Sequence, residues 1–328
     1  MAVLAEETTR DRLYNFTSRF QIFIILILIV AVFSALRFDS FATFANFRNV
    51  LVQAAIFSVM AVGATYVIIT KGVDLSVGSI LVFSGVAAAK VMEALGDQGW
   101  PIAIVGIIVA CLSGLMWGIV NGLLVAKAKV PPLIATLGTM GIIQGLALIL
   151  SGGIDLKDAP YVLGDVIGFG SFLGLPVLAW IAAAVIIIGG VVLKITKFGR
   201  HTFAVGSNSH AALEMGINTE RHLIKVYALA GFLAGLAGIL SLARFGSTTI
   251  SGHATDNLQV IAAVVIGGTS LFGGVGSVFT TAVGVFIPAV LTTGLVMVGA
   301  QSFWRDVLVG MVLIGAVYFD QIGRQSKK

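Results

Sequence analysis

The feature that most restricts this chain is a near-continuous series of apolar stretches, each close to the ~20 residues a helix needs to cross a bilayer. About ten can be counted, at roughly 21–38, 50–70, 76–95, 101–126, 133–150, 172–195, 224–243, 257–272, 275–297 and 303–320. Of the 328 residues, 58% are hydrophobic and only 11% charged, where soluble domains carry about 25% charge. A soluble core cannot hide that much apolar surface, so the excess must face lipid or other spans. The expected fold is therefore an all-α polytopic membrane protein of about ten transmembrane helices. Glycine-rich, partly polar breaks near 70–79 and 266–277 are expected to interrupt helices or form re-entrant pieces, which are tolerated where protein or water covers the backbone.

Charge divides the chain into sides. Arg10, Arg12 and Arg19 lie in a tail over 1–20, and Arg324, Lys327 and Lys328 in a tail over 321–328. Lys127 and Lys129 follow the fourth stretch. Lys194, Lys197, Arg200, Arg221 and Lys225 mark the link after the sixth. With about ten spans within 21–320, all four clusters fall on one side, and the excess of Lys and Arg makes that side cytoplasmic. The other side carries Asp155, Asp158 and Asp165 against Lys157. This asymmetry accounts for the net charge of +5 without a nucleic-acid partner. The first apolar run, from Ile22 to Leu36, has no small-residue cleavage site and reads as a span rather than a removable signal.

Chemistry-bearing patterns are sparse. Gly-Lys does not occur, which removes the phosphate-binding loop, and neither HExxH nor GxSxG is found. Cys111 stands alone in an apolar stretch and reads as a small buried hydrophobe. His201, His210 and His222 share one link without acidic or thiol ligands at metal spacing, and are expected to face solvent. No cofactor or metal is expected on this chain.

The polar residues within the apolar series carry the candidate pathway. In Gly72-Val73-Asp74-Leu75-Ser76-Val77-Gly78-Ser79, Asp74 or Ser76 either caps the helix that follows or shapes a break beside a conduit; a carboxylate near lipid costs a few kcal/mol unless satisfied. Thr136 and Thr139 share a helix face. They either line a polar conduit or bond back to their own carbonyls. Gly114, Gly118 and Gly122, with Asn121 beside them, recur at the four-residue spacing that lets helices approach closely. Gly141 and Gly145, and Gly231 and Gly235, repeat it. The packing so implied lies within the chain or between two chains.

The 196–223 link is the only long polar break. Ser207 or Asn208 can cap a short helix over Ser209–Met215, Gly216 suits its C-terminal turn, and Asn218 or Thr219 can cap the next helix. Such an amphipathic helix has little to pack on inside the chain, which points to a docking element for a cytosolic partner.

Taken together, Thr70 to Ser79, Val120 to Lys127, Pro131 to Met140, Phe198 to Asn218 and Ile261 to Ser277 resemble, in family order, the membrane permeases of ATP-binding-cassette importers for ribose, galactose and xylose. The resemblance implies a subunit of the bacterial inner membrane, with both termini cytoplasmic, that moves a sugar or polyol inward by alternating access. Its implied partners are a second permease copy or paralogue, ABC ATPase subunits that bind ATP and magnesium, and a periplasmic sugar-binding protein. By position, the ATPase-coupling residues are Gly199, Arg200, Gly206, Asn208, Ala211, Ala212, Gly216, Ile217 and Asn218. The pathway or gate is expected among Asp74, Ser76, Asn121, Thr136, Thr139, Asn257 and Gln259. Two departures from the pattern stand out: Lys71 replaces a usual glycine, and Asn257 and Gln259 replace a common Glu and Asp. Two rivals remain: an ion-coupled secondary transporter using Asp74, against which the scarcity of acidic residues in the spans argues, and a permease for another small metabolite such as a branched-chain amino acid.

Overall fold

The structure, a computed structural model, describes residues 9–96, 98–157, 159–253 and 255–301, together with 304, 307, 310, 311, 314 and 315. It is helical throughout, apart from one two-stranded hairpin among the described residues. The first half comprises α1 (Thr9–Leu36), α2 (Phe38–Phe41), α3 (Phe44–Ile69), α4 (Val77–Leu95), α5 (Trp100–Ala126) and α6 (Pro132–Ser151). A π-helical turn, Leu163–Gly168, and a hairpin of β1 (Ser171–Phe172) and β2 (Leu175–Pro176) lead into α7 (Val177–Ile195). Then come α8 (Lys197–Ser207), α9 (Ser209–Glu214), α10 (Thr219–Phe245), α11 (Asp256–Ile266) and α12 (Val278–Met297).

The expected all-α polytopic fold is present, but the count differs. Among the described residues, 7 helices are long and apolar enough to cross a bilayer: α3, α4, α5, α6, α7, α10 and α12. The first stretch supplies a shorter apolar run, Ile22–Leu36, continuous with a helix that begins at Thr9, inside the segment read as a tail. The eighth stretch yields only the 11-residue α11. The sixth begins five residues late, because 171–176 form the hairpin. The tenth, 303–320, and the tail 321–328 lie mostly or wholly outside the described residues. Apolar runs mark burial in lipid or protein alike, so hydropathy overcounts wherever a short helix is sheltered by its neighbours.

Helix α10 is the centre of the bundle and packs against α3, α4 and α5. At these contacts the side chains are small. A Cβ on Gly63 of α3 would meet the Ala230 backbone at 2.7 Å, and one on Gly85 of α4 would meet the Gly238 carbonyl oxygen at 3.4 Å. Along α5 the seam is tighter. A Cβ on Gly114 would strike the Gly231 carbonyl oxygen, one on Gly118 the Tyr227 carbonyl oxygen, and one on Gly122 the Ile224 backbone at 2.7 Å. The ladder expected in span four thus closes against Gly231 and Gly235 within the same chain. Gly141 and Gly145 of α6 have nothing within 4 Å of where a Cβ would be.

Two irregular links break the helices on opposite sides. After α3 the chain turns through 70–76 before α4; after α10 it turns through 246–255 before α11. The second break went unread in the sequence, where Gly246 to Thr255 passes as an ordinary polar connection. The second reaches the first turn of α4, just past the first break, inside the bundle: a Cβ on Gly78 would lie 3.0 Å from the His253 carbonyl oxygen. At 1.5 Å per residue α11 is about 16 Å long, roughly half the ~30 Å hydrocarbon layer.

Gly118→Leu is expected to cost about 1–3 kcal/mol through overpacking against the α10 backbone, seen as a lowered unfolding midpoint in detergent. Gly141→Leu, facing open space, should change stability by no more than about 0.5 kcal/mol.

Candidate translocation and coupling site

The 70–76 break is shaped by its own polar groups. Asp74 does not cap α4: its Oδ1 accepts from the Ser76 N–H at 2.9 Å and from the Ser76 hydroxyl at 2.6 Å, forming a turn ahead of the helix. Ser76 occupies the N-cap position without a side-chain cap bond. Its residue geometry there is helical rather than extended, which turns the hydroxyl away from the first free N–H groups.

From that turn a chain of hydrogen bonds crosses three elements. Asn121 of α5 donates from Nδ2 to Ser76 Oγ at 2.8 Å. Thr139 of α6 donates to Asn121 Oδ1 at 2.7 Å and also reaches the Thr136 carbonyl at 3.2 Å. Thr136 donates to the Pro132 carbonyl at 2.9 Å and lies 3.2 Å from the Val73 carbonyl. Both threonines therefore bond back to their own helix and also reach a neighbour. Asn257, in the first turn of α11, donates to the Leu75 carbonyl at 3.1 Å. Asp74, Ser76, Asn121, Thr136, Thr139 and Asn257, scattered over the sequence, are thus one buried network. Gln259 is buried on α11 and makes no hydrogen bond to this network among the described residues. Of the six buried polar side-chain atoms without a hydrogen-bond partner among the described residues, four are Asp74 Oδ2, Tyr227 Oη, Asn257 Oδ1 and Gln259 Nε2. Tyr227 escaped sequence reading because a lone tyrosine in an apolar helix carries no pattern.

A second buried cluster holds the 246–255 break, and nothing in the sequence signalled it. His253 Nδ1 lies 2.6 Å from Asp256 Oδ2, while its Nε2 lies 2.8 Å from Ser241 Oγ and 3.0 Å from Thr249 Oγ1. Asp256 opens α11, where a carboxylate complements the positive end of the helix. The 246–255 link is also tied outward, since Asp155 Oδ1 accepts from the Ile250 N–H at 2.7 Å. Asp158 lies outside the described residues. No group of three or more His, Cys, Asp or Glu side chains able to hold a metal ion occurs among the described residues.

The polar link after α7 folds into two helices rather than one. Thr196 caps α8 by accepting from the Gly199 N–H at 3.2 Å. Asn208 caps α9 through Ala211, Gly216 turns the chain at φ +82, and Asn218 caps α10 through Arg221. Helix α8 was missed because its polar and apolar residues, Lys197 to Ser207, look like loop until one face is seen packed. His222 is not solvent-facing: it is buried beside Thr202, with 3.0 Å between Nε2 and Oγ1.

The residues assigned to coupling divide by environment. Gly199, Gly206 and Ala212 are buried; Arg200, Asn208, Ala211, Gly216 and Asn218 are exposed, and Ile217 is half-buried. A Cβ on Gly206 would strike the Ile69 carbonyl oxygen at the end of α3. That carbonyl also accepts from the Gly274 N–H at 2.9 Å. Lys71, held at φ +63, donates from Nζ to the Ser207 carbonyl at 3.1 Å. The C-terminal end of α8 is therefore seated directly on both glycine-rich breaks, 70–76 and 267–277. Beside it Leu213 of α9 and Met215, the residue that ends it, face outward, the latter 83% exposed.

This polytopic bundle, with the half-length α11 sheltered inside it and a short helical pair on one face, is that of a membrane transport permease. Residues 46–317 match the family described as "Branched-chain amino acid transport system / permease component", and the chain belongs to that family. It is 39% identical to the ribose import permease protein of Bacillus subtilis (strain 168), over 90% of each chain. It is 33% identical to the D-allose transport system permease protein of Escherichia coli K12, over 96% of each. It is 32% identical to the galactose/methyl galactoside import permease protein of Salmonella typhimurium, over 94% of this chain and 95% of the other. No solved structure matches the chain.

Asn121→Ala should lower stability by about 1–3 kcal/mol, because the buried partners on α6 and in the 70–76 break lose their link. Thermal unfolding in detergent would show it, and Thr139→Ser should stay near the wild type.

Proposed function

We propose that this chain is the membrane-spanning subunit of an ATP-binding-cassette importer that moves a sugar or polyol into the cytoplasm by alternating access. The carrying observation is the seating of α8 on both breaks through Gly206, Ile69, Gly274 and Lys71. A push on α8–α9 from a bound ATPase would reach the network of Asp74, Ser76, Asn121, Thr136 and Thr139 without passing through a flexible linker. In this reading Arg200, Asn208, Ala211, Gly216, Ile217 and Asn218 belong to the docking surface. Gly199, Gly206 and Ala212 instead transmit the load, being packed against the bundle.

The cargo class draws on the relatives, whose names specify ribose, D-allose and galactose import. It also draws on the chemistry of the network, which is mostly hydroxyl and amide. Hydroxyls and amides both donate and accept hydrogen bonds, which suits a polyhydroxylated cargo, whereas rings of one charge would suit an ion. Asn257 and Gln259 extend this neutral character along α11. The reading places the chain in the bacterial inner membrane, with 1–20, 196–223 and 321–328 on the cytoplasmic side. It pairs the chain with a second permease copy or paralogue, two ATPase subunits and a periplasmic sugar-binding protein. ATP and magnesium are then bound by the ATPase.

Reconstituted with its ATPase and binding protein, the complex should take up ribose, allose or galactose only when ATP is supplied. Uptake should survive collapse of the ion gradients. Uptake of leucine instead would favour the amino-acid cargo that the family description names, and uptake by the isolated chain would refute an ATP-driven subunit.

Leu213→Glu combined with Met215→Glu should abolish co-purification with the ATPase while leaving the unfolding midpoint unchanged, since both side chains are exposed. Gly206→Ala should act differently, lowering the midpoint through its clash with the Ile69 carbonyl. Normal co-purification of the double variant would remove α9 from the docking surface.

A further inference from the structure

The hairpin before α7 has a surface that water does not explain. Its tip is Leu173-Gly174, with φ of +51 and +80. Two consecutive residues in this region make the tight hairpin turn that usually takes Asn-Gly, and a leucine is rarely found there. Yet Leu173 is 77% exposed and Phe172 62% exposed. Just before the hairpin, Phe169 is also exposed. From Val166 to Leu193 there is no charged residue.

We propose that this tip is a lipid contact, inserted into the bilayer interface on the side opposite α8 and α9. Three observations fix the occupant as lipid. The first is depth. Helix α7 has 19 residues, about 28 Å at 1.5 Å per residue, close to the ~30 Å hydrocarbon thickness. Its other end joins α8, so its N-terminus lies at the far hydrocarbon boundary. The hairpin does not rise away from that boundary. Trp180, in the first turn of α7, donates from Nε1 to the Phe172 carbonyl at 2.9 Å, and the Val177 N–H donates to the Gly170 carbonyl at 3.0 Å. These bonds fold the strands back along the helix.

The second observation is continuity. The exposed apolar surface runs on from Phe172 and Trp180 down α7 through Ile187, Ile188, Val191 and Ile195. That helix is among the least buried spans, with 22% of its apolar stretch inside the protein. The third is the composition of the rim. The Phe172 and Trp180 rings meet edge-on with centroids 6.1 Å apart. The Arg244 guanidinium, in the last turn of α10, lies 5.6 Å from the Phe169 centroid. Aromatic rings with an adjacent arginine mark the level where apolar chains give way to headgroups. The hairpin fixes the depth of α7, and α7 leads directly into α8.

The test places a spin label at Leu173→Cys in the full chain, with the buried Cys111 replaced by alanine, in phosphatidylcholine–phosphatidylglycerol vesicles. Collisions with oxygen, which concentrates in lipid, are compared with collisions with a water-soluble nickel chelate. At Leu173→Cys oxygen is expected to dominate severalfold; at His210→Cys, on exposed α9, the chelate should dominate. A label at Phe172→Cys repeats the reading should the tip not tolerate cysteine. Chelate access at 172 and 173 matching that at 210 would overturn the proposal. Exclusion of both reagents would equally overturn it, showing a protein partner or a second copy over the hairpin.

Discussion

Close backbone approach between α10 and its neighbours is the constraint on which the rest of the structure depends. Lipid tails are as apolar as leucine, so spans gain little from merely hiding apolar surface from lipid, and shape-matched packing must hold them together. Gly114, Gly118 and Gly122 let α5 lie against the α10 backbone, and Gly63 and Gly85 do the same from α3 and α4. Only with those four helices close together does Asn121 come within hydrogen-bond reach of Ser76 and so of the turn that Asp74 holds. The polar network is a consequence of the apolar packing.

The breaks follow from the same arrangement. Irregular backbone inside a bilayer survives where protein covers it. Each break here is also held by side chains: Asp74 with Ser76 in one, His253 with Asp256, Ser241 and Thr249 in the other. Asn257 then joins them through the Leu75 carbonyl. On the α8–α9 side the first break is pinned through Lys71 and Ile69; on the far side the second is pinned through Asp155. Each break thus has one end within the shared interior and one end fixed at a surface, which allows movement at one face to be felt at the core.

Much of this was legible before any coordinates. Thr136 and Thr139 share a face because of helical spacing, and the turn chemistry of Asn208, Gly216 and Asn218 has a local cause that a sequence displays. The glycine ladder announced close packing, though not its partner. Other features were illegible for definable reasons. The short α11 was read as longer because its apolar run continues into residues sheltered by α12. His222 looked solvent-facing because its charged neighbours in the sequence are exposed while it alone turns inward. His253 and Asp256 carry no signal in the sequence, since a single histidine three residues before an aspartate is no motif and the contact of His253 with Ser241 of α10 forms only in the fold.

Sequence alone determined that this is a helical membrane protein, that glycine-rich breaks interrupt its helices near 70–79 and 266–277, and that a polar link on one side carries capped helical structure. These depend on composition and on interactions within a few residues. The tertiary structure decided the number of long spans, the partner of each glycine face, the joining of six dispersed polar residues into one network, and the burial of Gly206 against α3. Those depend on which helices lie side by side, and helix neighbours separated by a hundred residues leave no local pattern in the chain.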